Sequence, residues 1–356
     1  MNDLPNGHRD RPSVAGPLVR VGRLTLAAVP VWLTFSFVTG DAPAELRGIV
    51  GIIAIVSLFR PSEGLCIVAL AVPLGDLVAV AMESSPLRLT DALVVAFLSG
   101  WLISPTHGPA RGPAPRAAAR YAALAVSALI LASIAANVLQ IKAQMPADWP
   151  GMFSRTLHEY FKAGSDDFGA VAGGRLIEGL GLSAAVVLLL RRQPILAVWI
   201  PEALGAGCVI VVVAAYSLWH GYAFSAVLAR HAVIGDRIVA HVSDINAAAS
   251  YFALMACLAS GMAARERGPR RIWWVVVAGS AMEGLWFSGS RSANLAVGLA
   301  FVAAAIWVPS RRWRKAVRYG VFAAVMTALV AAAAFRAAQI EGDPTRQGAG
   351  DRKSVV

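Results

Sequence analysis

Charge is what this chain has least of. Asp, Glu, Lys and Arg together make up 15% of its 356 residues, well below the roughly one quarter usual in soluble domains. A soluble fold of this length needs a polar coat, and there is too little charge here to make one. Cysteine is also scarce. Cys66, Cys208 and Cys257 each sit inside an apolar segment, which excludes a disulfide framework or a thiolate metal site and leaves three small hydrophobes. Missing too are a Walker-type phosphate loop, a dinucleotide glycine fingerprint, a metal-spaced His/Cys set and a Gly-x-Ser-x-Gly elbow. No cofactor and no metal is therefore expected. His231 and His241 lie too far apart for a familiar metal spacing and read as histidines at a headgroup interface.

What is present is apolar: 57% of the residues are hydrophobic and the mean hydropathy is +0.62. The charges fall in short runs between apolar segments of about fifteen to twenty residues, the length a helix needs to cross hydrocarbon. Lipid offers the backbone no hydrogen-bond partner, so each segment must satisfy its own, and a helix does so. Continuous apolar runs such as residues 186–190 and 209–215 exclude a transmembrane barrel, whose strands alternate. The expected fold is all-α, a polytopic bundle of about eleven membrane spans. The net charge of +11 does not indicate a nucleic-acid partner. The basic residues sit in loops at alternate helix ends, and no basic run is interleaved with exposed aromatics.

Residues 1–23 form a polar N-terminal arm carrying Arg9, Arg11, Arg20 and Arg23, residues 24–335 the membrane domain, and residues 336–356 a tail. The expected spans are 24–38, 48–59, 65–82, 92–103, 121–140, 171–190, 196–218, 247–263, 272–287, 293–308 and 317–335. The second is short enough to be re-entrant or strongly mismatched. Ala42-Pro43-Ala44 resembles a signal-peptide cleavage site, but the long arm and the many later spans favour an uncleaved signal anchor. With the N-terminus inside, about nineteen of the 32 Lys and Arg residues fall in inner loops and about thirteen outside, four of the latter in the tail. The positive-inside bias thus predicts a cytoplasmic N-terminus and an external C-terminus.

An ionisable residue inside a span costs a few kcal/mol and faces a partner or a cavity. Asp76, Arg175, Glu178, Glu202 and Glu283 are the candidates. In this orientation Arg175, Glu178 and Glu283 lie in the outer halves of their helices, Asp76 near the middle, and Glu202, beside Pro201, on the inner side. Arg175 and Glu178 are three apart and share a helix face, so mutual neutralisation competes with a functional role. Residues 219–241 are apolar and aromatic with Arg230, His231, Asp236, Arg237 and His241 set among them, and read as an interfacial helix or re-entrant loop. They lead to Asp244-Ile245-Asn246 at the mouth of the next span. Ser288-Gly289-Ser290-Arg291-Ser292 makes a tight external turn. The polar residues converge on the outer leaflet, which suits a site open to the outside or to a lipid-borne substrate.

Three segments resemble a known family. The run from Asp244-Ile245-Asn246 through Ala247-Ala248-Ala249-Ser250-Tyr251 is similar to the segment that opens a helix in the O-antigen ligase and O-antigen polymerase family. One helix later, Trp286-Phe287-Ser288-Gly289-Ser290-Arg291-Ser292-Ala293-Asn294 resembles that family's Ser-Arg turn. Arg88-Leu89-Thr90-Asp91-Ala92-Leu93 fits an early feature, a short external link followed by a Leu/Asp helix start. Their order and spacing cover roughly residues 65–335. The resemblance implies transfer of a glycan from undecaprenyl diphosphate to a sugar acceptor, outside a multi-pass protein of the bacterial inner membrane. The acceptor would be a growing lipid-linked polysaccharide or the lipid A core of lipopolysaccharide. Departure of a lipid diphosphate develops negative charge, and Arg clamps phosphate with two donors while staying charged. Arg291 matches the Ser-Arg turn, Arg237 lies where the family has an Arg shortly before the Asn motif, and Arg175 is a third candidate without a motif. Asp244, Asn246 and Ser290 would support them.

The family continues into a long external loop bearing a His that acts on the acceptor hydroxyl, and then into further helices. Here the chain stops at Lys353-Ser354-Val355-Val356, so a truncated or degenerate member is expected, and the catalytic base is unassigned. A transporter or lipid-glycan flippase is the alternative, since it could use the same Arg and carboxylate residues. It predicts internal repeats and midplane polar groups, whereas here no repeat is visible and the polar groups lean outward. A purely structural membrane subunit, its charges merely pairing with one another, is the third possibility.

Overall fold

Helix is what the apolar segments form wherever the structure describes them. The computed structural model describes residues 15–75, 77–78, 82, 87–105, 117–144, 151, 160–162, 169–219, 233–234, 237–238 and 245–307. Among these are ten α-helices: α1 (Ala15–Thr39), α2 (Ala44–Phe59), α3 (Pro61–Ala71), α4 (Leu89–Ile103), α5 (Ala117–Gln144), α6 (Gly169–Arg192), α7 (Leu196–Trp219), α8 (Ile245–Arg265), α9 (Pro269–Ser288) and α10 (Arg291–Trp307). Each overlaps one of the first ten expected spans. The eleventh, at 317–335, and the tail lie outside the described residues, as do Asp76 and residues 1–14 of the arm.

The chain is a membrane protein. Four stretches are long and apolar enough to cross a bilayer: Val21–Thr39, Leu124–Gln144, Val171–Arg192 and Leu196–Ser217. Three features differ from the sequence expectation. Residues 15–23 of the arm already belong to α1, where the Arg23 guanidinium donates to the Ser104 carbonyl at 3.1 Å. Within the expected span 65–82 the α-helix tightens after Ala71 into a 3₁₀ turn, Val72–Leu74, beyond which residues 75, 77 and 78 are helical again. Pro73 lies within that turn, and its missing N–H disfavours continuation of an α-helix. Within residues 219–241, two-residue strands β1 (Val233–Ile234) and β2 (Arg237–Ile238) pair antiparallel. Val233, Ile234 and Ile238 are β-branched, and Gly235-Asp236 between the strands is a sequence suited to a two-residue hairpin turn. Residues 233–234 and 237–238 are thus strand and not helix, and the rest of 220–241 lies outside the described residues.

The fold divides into two units, residues 1–203 and 204–356, with the boundary inside α7. In the first unit α4 is the central helix. Leu89 and every residue from Ala92 to Trp101 are buried, as expected of a helix that is apolar all round. Glycine lets α2 approach it closely: a Cβ on Gly100 would lie 2.2 Å from the Ala54 carbonyl oxygen. Small residues at such contacts are the usual means of close packing between membrane helices. A polar link from α1 to α4 in this core is satisfied at both ends. Thr34 and Ser99 share a 2.7 Å hydrogen bond, and Ser99 also donates to the Val95 carbonyl at 2.7 Å. By contrast, α5 packs on α6 by a single face that includes Ile130 and Ile134, and exposes Leu124, Leu129, Leu131 and Leu139. That exposure suits contact with lipid.

In the second unit α8 and α9 form a close antiparallel pair, with the Phe252 ring laid against Gly284. Gly268, at φ 64°, links them, and Gly289, at φ 67°, ends α9 in the left-handed region. Tyr251 on α8 donates to the Leu204 carbonyl at 3.2 Å. The three cysteines are free thiols, Cys208 buried and the other two half-buried.

Candidate functional site

A group of charged residues in the first unit gathers near the starts of α4 and α6. Asp91 sits in the first turn of α4, where a carboxylate meets the positive end of the helix dipole. Arg88, the residue just before the helix, and Arg175 on α6 both face it. Arg175 Nε lies 3.1 Å from Asp91 Oδ2, and Arg88 Nη1 lies 4.0 Å from the same oxygen. These are ion pairs more than aligned hydrogen bonds, since the Arg175 Nε–H is not directed along the line to the carboxylate. Two guanidiniums on one carboxylate give the trio a net positive charge.

A short strap from the α5–α6 connection closes over this trio. Leu87 and Lys162 form an antiparallel bridge, and the Arg88 backbone N–H donates to the Phe161 carbonyl at 2.7 Å. Arg175 donates to the Tyr160 carbonyl at 3.4 Å. Tyr160 and Phe161 are buried. The Phe161 ring meets Phe37 of α1 edge-on, with centroids 5.3 Å apart. Tyr160 fits against α6 because Gly174 has no side chain: a Cβ there would sit 3.1 Å from the phenol ring. The Tyr160 hydroxyl donates to Glu178 Oε1. Burial, and then the Glu178 carboxylate, push the Tyr160 phenol above its ordinary range, so the phenol stays a neutral donor.

Arg175 and Glu178 therefore do not simply neutralise each other along one face of α6. Arg175 turns to Asp91 and Glu178 to Tyr160. Chemically, the arrangement offers cations for an anionic ligand beside a carboxylate held by a neutral donor. Of its members, the sequence singled out Arg175 and Glu178 as intramembrane charges. Arg88 and Asp91 entered the sequence reading only within a Leu/Asp helix start and carried no site assignment. Tyr160 had no signal, because nothing in a polar connection marks the aromatic that turns inward.

The second unit holds the other expected site residues. Gly289 ends α9, and α10 starts two residues later. Ser288 Oγ donates to the Leu285 carbonyl at 2.7 Å and accepts from the Ser290 N–H at 3.4 Å. Ser290 Oγ and Ser292 Oγ are 3.2 Å apart, and Asn294 donates to the Ser290 carbonyl at 3.0 Å. Ser290 is thus a buried brace of the turn. Arg291 is exposed in the first turn of α10. A cation there gains nothing from the helix dipole, whereas an anion would be favoured by the guanidinium and the free N–H groups together. The backbone of Arg237 lies in β2 and that of Asn246 in the first turn of α8. Their side chains, and Asp244 as a whole, lie outside the described residues.

Fold and site thus define a helical membrane protein with a half-buried Arg–Asp and Tyr–Glu cluster at one end of its first unit. No family model matches the chain, and no curated protein and no solved structure is significantly similar to it.

Proposed function

We propose that the chain is a glycan transferase of the O-antigen ligase or polymerase type. It moves a glycan from undecaprenyl diphosphate to a sugar acceptor at the outer face of the bacterial inner membrane. The observation that carries this reading is the cluster at the start of α4 and α6. Two guanidiniums, two carboxylates and a phenol are held together at the end of otherwise apolar helices. Such groups are costly in a membrane and are retained where a charged ligand or a proton is handled. With the N-terminus inside, helices that alternate in direction across the bilayer begin α4 and α6 on the outer side, at the level of phosphate headgroups. On this reading Arg175 would meet the diphosphate in the first unit, while for the second unit the family resemblance alone implies Arg291 and Arg237 as diphosphate ligands, with Asp244, Asn246 and Ser290 in support. The span count of about eleven and the external tail belong to the same proposal.

The test is reconstitution of the full chain in lipid nanodiscs with an undecaprenyl-diphosphate-linked glycan as donor. The acceptor is either a second donor molecule or lipid A core. The expected result is an elongated or core-linked glycan with release of undecaprenyl diphosphate, strongly reduced in Arg175→Ala. In proteoliposomes, passage of the donor across the bilayer with no new glycosidic bond would instead establish the flippase alternative.

A further inference from the structure

The proposed transfer needs a base for the acceptor hydroxyl, and we infer that Glu178 is that base, with Tyr160 as its positioning residue. This inference rests on the transferase reading above. Two carboxylates are present in the cluster, and their surroundings differ. Asp91 faces Arg175 at 3.1 Å and Arg88 at 4.0 Å. Asp91 is engaged by both guanidiniums and is committed to holding them. Glu178 has a single hydrogen-bond partner among the described residues, the neutral Tyr160 hydroxyl on Oε1. That bond fixes the carboxylate and leaves its second oxygen to accept a proton. Glu178 is also half-buried and so within reach of a ligand. Nucleophile activation and leaving-group stabilisation need a base and a cation on one surface. Arg175, three residues earlier on α6, supplies the cation on the same face.

The step balances as follows. The acceptor O–H gives its proton to Glu178, and the oxygen's electron pair forms a bond to the anomeric carbon of the donor sugar. The bond from that carbon to the phosphate oxygen breaks, and its electron pair leaves with the lipid diphosphate, whose added negative charge is met by Arg175. Glu178 then returns its proton to water.

Tyr160 acts through Glu178. Its hydrogen bond favours the ionised carboxylate, so removing the hydroxyl should raise the pH at which Glu178 becomes an effective base. The strap that carries Tyr160 is fastened to the bundle by the Leu87–Lys162 bridge and the Arg88–Phe161 bond. The phenol is thereby held in place independently of substrate.

The experiment uses the full chain in nanodiscs, with undecaprenyl-diphosphate-linked glycan as donor and as acceptor, or lipid A core as acceptor. Transfer is followed across pH for wild type, Glu178→Gln and Tyr160→Phe, with the thermal unfolding of each variant measured alongside. Glu178→Gln is expected to lower kcat by about 10²- to 10⁴-fold, the usual contribution of a general base. Its donor KM should be little changed and the acidic limb of the pH profile lost. Tyr160→Phe, which keeps the buried ring, should lower kcat by less and move that limb to higher pH. Failure of the wild type to transfer any glycan would overturn the transferase reading itself. Transfer by the wild type, with kcat and acidic limb unchanged in Glu178→Gln or with the limb unmoved in Tyr160→Phe, would overturn this inference alone.

Discussion

Removing Asp91 should destabilise the first unit more than removing the arginine closest to it. One Asp91 oxygen serves Arg175 at 3.1 Å and Arg88 at 4.0 Å, with the three side chains only 15–24% exposed. In Arg175→Ala the carboxylate still has Arg88. Coulomb attraction falls with inverse distance, so an unrelaxed Arg88 retains about three quarters of what Arg175 supplied. In Asp91→Ala two cations are left side by side with no carboxylate between them. Breaking a buried pair from one side costs about 3–5 kcal/mol, and Asp91→Ala should fall in that range. Arg175→Ala, with its compensating partner in place, should cost about 1–2 kcal/mol, near the value of one lost charged hydrogen bond. The double substitution should cost less than the sum of the two, by about 1 kcal/mol or more. Unfolding by SDS in mixed micelles, followed by the fluorescence of the ten tryptophans, measures all three. Equal costs for the two single changes, or strict additivity in the double, would refute the view that one carboxylate holds both cations.

Five other outcomes are expected. Gly100→Ala would place a methyl 2.2 Å from the Ala54 carbonyl oxygen and 2.7 Å from the Leu58 nitrogen. Backbone cannot yield, so a net loss of about 1–3 kcal/mol should appear in the same unfolding assay. Gly51→Ala, where a Cβ has no atom within 4 Å, should instead gain up to about 1 kcal/mol from helix propensity. In the transfer assay Arg291→Lys should lose about 10-fold or more, since an ammonium lacks the two-donor fork; near-normal transfer would mark Arg291 as a membrane anchor only. The raised Tyr160 phenol contributes stability that is present below the ordinary tyrosine value near 10 and falls away as pH climbs above it. Unfolding of wild type and Tyr160→Phe compared from pH 8 to 11 should show that extra loss in wild type alone. A reporter active only outside the cytoplasm should give signal when fused after residue 335 and none when fused within residues 265–271. The reverse pattern would overturn the orientation.

The helices were legible because each is an apolar run bounded by charge, and that property is local. The ten described helices fall where the hydropathy put them, and the disagreements come from shorter-range chemistry. Pro73 tightens into a 3₁₀ turn a helix that its apolar neighbours would continue smoothly, and Val233–Ile234 pairs as a strand with Arg237–Ile238 inside a stretch that resembles an amphipathic helix. The candidate site was half legible. Arg175 and Glu178 stand out because charge is rare in the segment that holds them. Their partners could not be found the same way. Asp91 and Tyr160 meet α6 only through tertiary contact, across 84 and 15 residues of chain from Arg175, and no periodicity within one helix encodes such a pairing. Ser290 beside Arg291 was legible as a turn, whereas its role as a buried brace depends on hydrogen bonds that composition does not reveal.

The single residue between α2 and α3 bears on how the protein enters its membrane. Phe59 ends one helix and Pro61 begins the next, with Arg60 at the elbow. Its N–H donates to the Val56 carbonyl at 2.7 Å, and its own carbonyl accepts from Gly64 at 3.0 Å. The Arg60 and Glu63 side chains, both exposed, pair at 2.9 Å. At 16 and 11 residues, neither helix reaches the roughly twenty that an independent span requires. With one linking residue there is no slack for α2 to settle while α3 waits in water. The two must therefore partition as one hairpin, with Arg60–Glu63 as its charged tip. An insertion machinery that tests helices singly should reject each alone and accept the pair.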